Sequence, residues 1–318
     1  MSRLPRISEL RDTSAGFGFY LCARKEVRKG RGGDFLALVL QDSSGQIPAK
    51  ILDRVAALGE EFEAGEFVKV EARADRHHQR LELVIESIRR VNPDQDRREG
   101  FSAEACIPSA PRPIDEMWDE LQARIAGAGN PWVRELLTFI VTARADRLKV
   151  WPAAVVVHHA YRGGLLEHIL KLADVGASMA SAYDADADLL LAGAVLHDIG
   201  KLDELHYDGV TSYTRDGNLL GHITLGVMAV RSAAAAIDGF PDDLRVRIEH
   251  LVASHHGSRE LGSPVEPMSA EAFILSAIDD LDARLHQVRR HIESDTGEGE
   301  VTAYHPRLGR VLLKPSGR

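Results

Sequence analysis

Seven side chains in the second half of the chain have the types and the order to hold metal ions. They are His168, the adjacent His197 and Asp198, His222, the adjacent His255 and His256, and Asp279. Imidazole nitrogen together with carboxylate oxygen suits manganese, iron, cobalt, nickel or zinc, whereas magnesium and calcium favour all-oxygen sites. Seven donors are enough for two ions, and Asp198, with two oxygens, is the natural bridge between them. Of the 14 histidines only His77 and His78 precede residue 150, so whatever histidine does here belongs to the C-terminal part. Two neighbouring divalent ions clamp a scissile phosphate, acidify water and stabilise the entering and leaving oxygens of an in-line displacement. His250, His286 and His291 are read instead as hydrogen-bonded core or surface residues.

These residues stand at the ends or edges of segments whose apolar residues recur at three and four spacing, namely 114–126, 131–145, 164–183, 186–199, 222–237, 241–254 and 269–292. That spacing predicts helices, and Gly200, Gly239 and Gly257 punctuate three of the ends. His197 and Asp198 close the 186–199 segment, where consecutive side chains lie about 100° apart and can turn into one pocket. Asp279 is chosen over Asp280 and Asp282 because it borders the apolar stripe Ile274, Ile278, Leu281 and Leu285. Upstream, residues 16–27, 35–40, 46–52, 67–74 and 81–91 read as strands, the last two as a hairpin across 75–80. A short helix at 53–61 follows the third strand, which is the element order of an OB fold. The polar, proline-bearing stretch 92–113 reads as a linker. The expectation is therefore a multidomain chain: a five-stranded OB-fold β-barrel over 1–95, a linker over 96–112, an all-α domain over 113–292 and a C-terminal segment over 293–318.

Length and composition agree with this plan. The 318 residues are 44% hydrophobic and 27% charged, an ordinary globular balance that excludes a disordered or fibrous chain. No uncharged apolar run approaches the roughly 18 residues of a membrane span. The N-terminus has no apolar leader, and Cys22 and Cys106 cannot make a disulfide framework, so a reducing cytoplasm and no membrane partner are expected. Net charge is -9, but residues 1–95 hold 16 Lys and Arg against 15 Asp and Glu, leaving 23 against 33 for the rest. The N-terminal part is the more cation-rich.

The ordered set, with EH at 167–168, LHDIGK at 196–201, GH at 221–222, SHHG at 254–257 and an aspartate in a late helix, resembles the HD superfamily of metal-dependent phosphohydrolases. The resemblance implies that His168, His197, Asp198 and Asp279 surround one ion and that Asp198, His222, His255 and His256 surround a second. Manganese is the foremost expected ion, with iron, cobalt, nickel or zinc as alternatives. Beyond this set, the stretches HHAYRGGLLEH, GNLLGHI, HLVASHHG, GSPVEP and IDDLDAR look like the YhaM-type 3′-to-5′ exoribonuclease family, which joins an OB fold to an HD domain. The function so implied is release of nucleoside 5′-monophosphates from the 3′ end of single-stranded RNA, with single-stranded DNA as a further substrate and self-association of the chain. Leu261 stands where that family usually has an aromatic residue.

Asp198 and Lys201 are the catalytic candidates, Lys201 being placed to neutralise a phosphate oxygen as charge develops. OB folds hold single strands on strands two and three and on the loops after strands one and four. Those loops supply Lys29, Arg31, Arg76, His77, His78 and Arg80, extended by Arg24, Lys25 and Arg28, with Arg162 as a further phosphate contact. Phe17, Phe19, Tyr20 and Phe35 either stack bases or fill the barrel. Two other readings stay open: a phosphohydrolase of small nucleotides whose OB domain serves assembly, and an RNA-binding regulator with structural metals. Gly257-Ser258-Arg259-Glu260 lacks the Gly-Tyr-Pro motif of cyclic-dinucleotide phosphodiesterases.

Overall fold

Alternation of large apolar residues with polar ones makes the N-terminal strands two-faced, and closing them on one another buries the apolar face. The computed structural model describes residues 2–30, 33–77, 80–153, 161–207, 211–295, 297 and 299–315. They divide into two compact units, one holding the chain up to Ser109 together with Tyr207, the other the rest from Ala110 on. In the first unit β1 (Ala15–Gly30), β2 (Gly33–Asp42), β3 (Gly45–Ile51), α1 (Val55–Gly59), β4 (Phe67–His77) and β5 (Arg80–Arg90) follow in order. The strands close into a barrel with neighbours β1-β2-β3-β5-β4. β1 serves both sides of the seam, pairing through Ala15–Leu21 with β4 and through Leu21–Gly30 with β2. This order, with α1 after the third strand, is the OB fold. Tyr20 and Cys22 of β1, Leu36, Leu38 and Leu40 of β2, and Val68 and Val70 of β4 are among the residues filling the barrel.

The opposite face of β1 is also covered. Phe19, Leu21 and the half-buried Phe17 lie against Phe101, Cys106 and Ile107, with the Phe19 and Phe101 rings edge-on at 5.5 Å. Thus the stretch expected to be a linker is part of the barrel unit as far as Ser109, because it caps apolar surface that β1 would otherwise expose. It contains α2 (Pro93–Asp96), whose last residue is fully buried. The Asp96 carboxylate accepts from both terminal nitrogens of Arg89, at 2.8 and 2.7 Å, and from the Asn92 amide at 2.8 Å. The hairpin expected over 75–80 is tighter than its charged sequence suggests, since pairing continues to His77 opposite Arg80.

The second unit contains α3 (Ile114–Ala126), α4 (Pro131–Ala143), α5 (Ala145–Leu148), α6 (Gly164–Tyr183), α7 (Ala187–Leu196), α8 (Lys201–Glu204), α9 (Arg215–Ala236), α10 (Asp242–Ser254) and α11 (Ala270–Ser294). α7 is apolar nearly all round and is the buried centre, packed by α6, α9's neighbour α10, α4 and α11. The chain between α8 and α9 is not helical: β6 (Leu205–Tyr207) and β7 (Thr211–Tyr213) pair there. α9 begins seven residues before the expected 222, because Thr214 Oγ accepts from the Gly217 amide at 2.9 Å and caps an extra turn. By length and composition α9 could cross a membrane, yet Gly221 interrupts it and α8, α10 and α4 pack against it. Past α11, Val301 pairs with Leu313 and His305 with Arg310.

The bonds to Arg89, working against burial, hold the Asp96 carboxyl below its ordinary pKa. Its contribution to stability is therefore whole above that ordinary value and is lost as acid titrates the folded carboxylate. Replacing Asp96 by Ala should cost the barrel about 1–3 kcal/mol at neutral pH, read as lost hydrogen-exchange protection of β4 and β5. The gap to the unsubstituted chain should close in strong acid.

Candidate metal centre

Five helices deliver the seven side chains to one place. His168 projects from α6, His197 and Asp198 stand in the turn just beyond α7, His222 follows the break at Gly221 in α9, His255 and His256 follow α10, and Asp279 lies on α11. Placement just past a helix end, not within it, is the difference from the expected 186–199 helix, and it lets adjacent residues diverge toward separate partners. Gly200 makes the approach of α9 possible. A Cβ there would lie 2.0 Å from the His222 carbonyl oxygen and 2.6 Å from the Gly226 amide. Gly221, at φ +70°, takes a left-handed conformation that resets the helix immediately before His222.

Every histidine of the set has its outer nitrogen engaged. Nδ1–H donates to Ala194 O from His197 at 3.0 Å, to Val252 O from His255 at 2.7 Å and to Leu261 O from His256 at 2.9 Å. His222 donates to Glu204 Oε1 at 3.1 Å and His168 to Asp282 Oδ2 at 2.9 Å. Because a carbonyl oxygen only accepts, the tautomers of His197, His255 and His256 are set, and their Nε2 atoms turn inward with a lone pair. His168 Nε2 lies 3.2 Å from His197 Nε2 and 3.1 Å from Asp279 Oδ1. Asp198 presents one oxygen to each side: Oδ2 is 3.3 Å from His197 Nε2, while Oδ1 is 3.5 Å from His222 Nε2 and 3.7 Å from His255 Nε2. Two groups of donors result, one of His168, His197 and Asp198, the other of His222, His255 and His256, each with its ligand atoms within 4.8 Å of one another.

Charge and burial make this a place for cations. Asp198 Oδ1, His222 Nε2 and His255 Nε2 are buried without a hydrogen-bond partner, an arrangement that costs free energy unless something electropositive sits between them. Burial opposes ionisation of Asp198, but the Lys201 ammonium, 2.6 Å from Oδ2, and the imidazoles of His197 and His222 hold its carboxyl well below the usual range. Asp279 is held low in the same way by His168 and His197. Burial also opposes charge on His168, yet Asp279 and Asp282 on its two nitrogens raise its pKa to about 9. For His255, burial together with His197 outweighs Asp198 and Asp279 and pushes its pKa down to about 3. Nitrogen and carboxylate donors in this mixture fit first-row divalent ions.

The HD domain family model matches residues 165–284, the span that carries all seven side chains. The chain is 35% identical over 263 residues to the 3′-5′ exoribonuclease YhaM of Bacillus subtilis, covering 82% of each, and 36% identical over the same length and shares to that of Bacillus licheniformis. The chain belongs to the YhaM 3′-5′ exoribonuclease family. Among solved structures, the second OB-fold domain of replication protein A from Methanococcus maripaludis is similar at 20% identity and a TM-score of 0.25, over 29% of this chain and 96% of that one. Membership of an HD-domain exonuclease family carries dependence on divalent metal.

Against the YhaM pattern, the remaining expected residues fall unevenly. Lys201 is buried against Asp198 and does not reach out as an exposed phosphate contact would. Of the three late aspartates, Asp279 meets the inner nitrogen of His168, Asp282 the outer one, and Asp280 is exposed and paired with Arg284. On the barrel, Lys25 is turned into the fold, donating to Gly59 O at 2.7 Å and Phe62 O at 2.6 Å. Arg24 and Arg28 are exposed but share Glu26, and Arg76 lies 3.7 Å from Asp12. Lys29 is exposed on β1, and Arg162 is half-buried in the helical unit. His77 and Arg80 close a backbone pair. Arg31 and His78 lie outside the described residues, as do residues 158–160 of the HHAYRGG stretch. Tyr20 and Phe19 are buried, and Phe17 and Phe35 half-buried. Sequence reasoning missed Glu204, although a carboxylate three residues after Lys201 shares its helix face.

Replacing Gly200 by Ala should force α9 off the turn that carries His197 and Asp198. The overpacking should cost about 1–3 kcal/mol, measured as a lower urea midpoint by fluorescence of Trp118, Trp132 and Trp151, all of which lie in the helical unit.

Proposed function

We propose that this chain is a metal-dependent 3′-to-5′ exoribonuclease that releases nucleoside 5′-monophosphates from single-stranded RNA, and that it also accepts single-stranded DNA. The observation that carries the reading is Asp198, whose two oxygens face two separate groups of inward nitrogens, in a chain so closely related to YhaM. His168, His197, Asp198 and Asp279 hold one divalent ion, and Asp198, His222, His255 and His256 hold the second. Manganese is the foremost candidate, with iron, cobalt, nickel and zinc as the alternatives. Bound there, the two ions supply charge stabilisation for the phosphoryl group and a lowered pKa for water. Lys201 neutralises and orients the shared carboxylate from its 2.6 Å contact. Glu204 and Asp282 keep the His222 and His168 rings turned inward. Water adds to phosphorus, the bond to the 3′ oxygen of the upstream chain breaks, and that oxygen takes up a proton.

The barrel is the strand-holding unit in this reading. Arg24, Arg28, Lys29 and Arg76 offer exposed cations there, each with a neighbouring acid except Lys29, which faces Asp34 only across the strand pair. Binding through them should be modest and should weaken as salt rises. Arg162 is the further phosphate contact in the helical unit. The same family reading carries a cytoplasmic setting and self-association of the chain.

Two measurements test the proposal. Asp198→Ala should lose most bound metal and nearly all hydrolysis while its circular dichroism stays helical, since both ions share that carboxylate; two full equivalents of metal in the variant would sink the dinuclear assignment. A 5′-labelled single strand incubated with manganese should shorten as a ladder, with a blunt duplex degraded more slowly because its end must fray first. Immediate labelled mononucleotide, or cleavage of a circular RNA, would overturn the exonuclease reading and leave the metal assignment standing.

A further inference from the structure

Two carboxylates stand behind the metal set without belonging to it, one behind each group of donors. Glu204 is buried at the end of α8, and its Oε1 accepts twice from one residue, from the His222 amide at 3.0 Å and from His222 Nδ1–H at 3.1 Å. A doubly held His222 can neither rotate nor retreat from the centre. The Glu204 carbonyl accepts in turn from the Thr214 amide at 2.9 Å, so the start of α9 is tied to the same residue. Asp282 stands one helical turn beyond Asp279 on α11, and the two aspartates grip opposite nitrogens of His168 at 2.9 and 3.1 Å. By contrast His197, His255 and His256 are backed only by the neutral carbonyls of Ala194, Val252 and Leu261. A carboxylate and a carbonyl behind an imidazole both raise its basicity as a ligand, but only the carboxylate adds a nearby negative charge.

The two groups are also unequal. Around the His168 side are Asp279 and Asp282 in addition to the shared Asp198, and His168 and His197 are wholly buried. Around the His222 side, Glu204 is the one carboxylate beside Asp198 among the described residues, and His222 and His256 are only partly buried, the His222 side chain being 14% exposed. Lys201 touches the shared carboxylate and so weighs on both. More negative charge and less competing water favour a cation on the first side.

Resting on the two-ion reading above, we infer that the His168 position loads first and tightly, the His222 position second and more weakly, and that Asp282 and Glu204 are positioning residues that each set the affinity of one position alone. The test is a calorimetric titration of the metal-stripped full chain with manganese, with circular dichroism as the control for folding. The unsubstituted chain should bind two equivalents in two steps. Glu204→Gln keeps an oxygen for both His222 donors but removes the charge, and should weaken the second step about 10- to 100-fold while the first stays in place. Asp282→Asn should weaken the first step by a similar factor. A Glu204→Gln titration identical to that of the unsubstituted chain, or one altered in the first step, would overturn the inference, as would an Asp282→Asn loss confined to the second step. Should Glu204→Gln fail to fold, the Asp282→Asn arm decides alone. Saturation of the unsubstituted chain at a single equivalent would instead overturn the two-ion reading itself.

Discussion

A single buried carboxylate, that of Asp198, is the constraint around which the helical unit is arranged. Taking a carboxylate out of water costs several kcal/mol, and only close opposite charge offsets it. Lys201 meets one oxygen directly, and the inward nitrogens of His197, His222 and His255 surround the two oxygens at 3.3 to 3.7 Å. No one helix can present all of these, so α6, α7, α9, α10 and α11 must converge on the same point. The apolar packing of α7 against its neighbours holds the convergence, and the polar centre sits at the end of that packed helix, where backbone groups are already without helical partners.

Convergence at such short range places demands on the backbone as well as on the side chains. The glycine after His-Asp-Ile has little to do with chemistry; it is required because the carbonyl of His222 lies where a methyl group would stand. Gly217 meets the carbonyl of Glu204 in the same way, with a Cβ there falling 2.1 Å from that oxygen. Gly200 and Gly217 are thus contact points between α8 and α9, and they let the short helix carrying Lys201 and Glu204 reach two ligands at once. The barrel unit follows a different logic. Its two-faced β1 needs cover on both sides, and the segment after β5 supplies the outer layer, with Asp96 as its buried anchor on Arg89.

Much of this was legible in sequence. The helices at 114–126, 164–183 and 241–254 and the five strands of the barrel follow from the spacing of apolar residues, because periodicity records which face is buried. The seven candidate side chains were legible from type and order, and the structure brings them to one place. Less legible were features that depend on the meeting of distant segments. The run 92–113 is polar enough to read as a linker, and only the presence of Phe19 and Leu21 on an uncovered face of β1 shows why Phe101 and Cys106 fold back. Lys201 and Lys25 have the look of exposed cations in sequence; one is buried on Asp198 and the other on backbone carbonyls.

What the sequence determined by itself, then, is which elements form, which of their faces are apolar, and which side chains have the chemistry to hold divalent ions, because each of these is written in local spacing and residue type. Tertiary structure alone decided the division of labour among those side chains. Three aspartates within four positions became an inner partner of His168, an outer partner and a solvent-exposed residue paired with Arg284. Glu204, unremarked in a helical run, became the anchor of His222. The physical reason is that a hydrogen bond or a shared carboxylate depends on distances of about 3 Å between atoms far apart in the chain, and no pattern of neighbours along the chain encodes a distance between segments that do not adjoin.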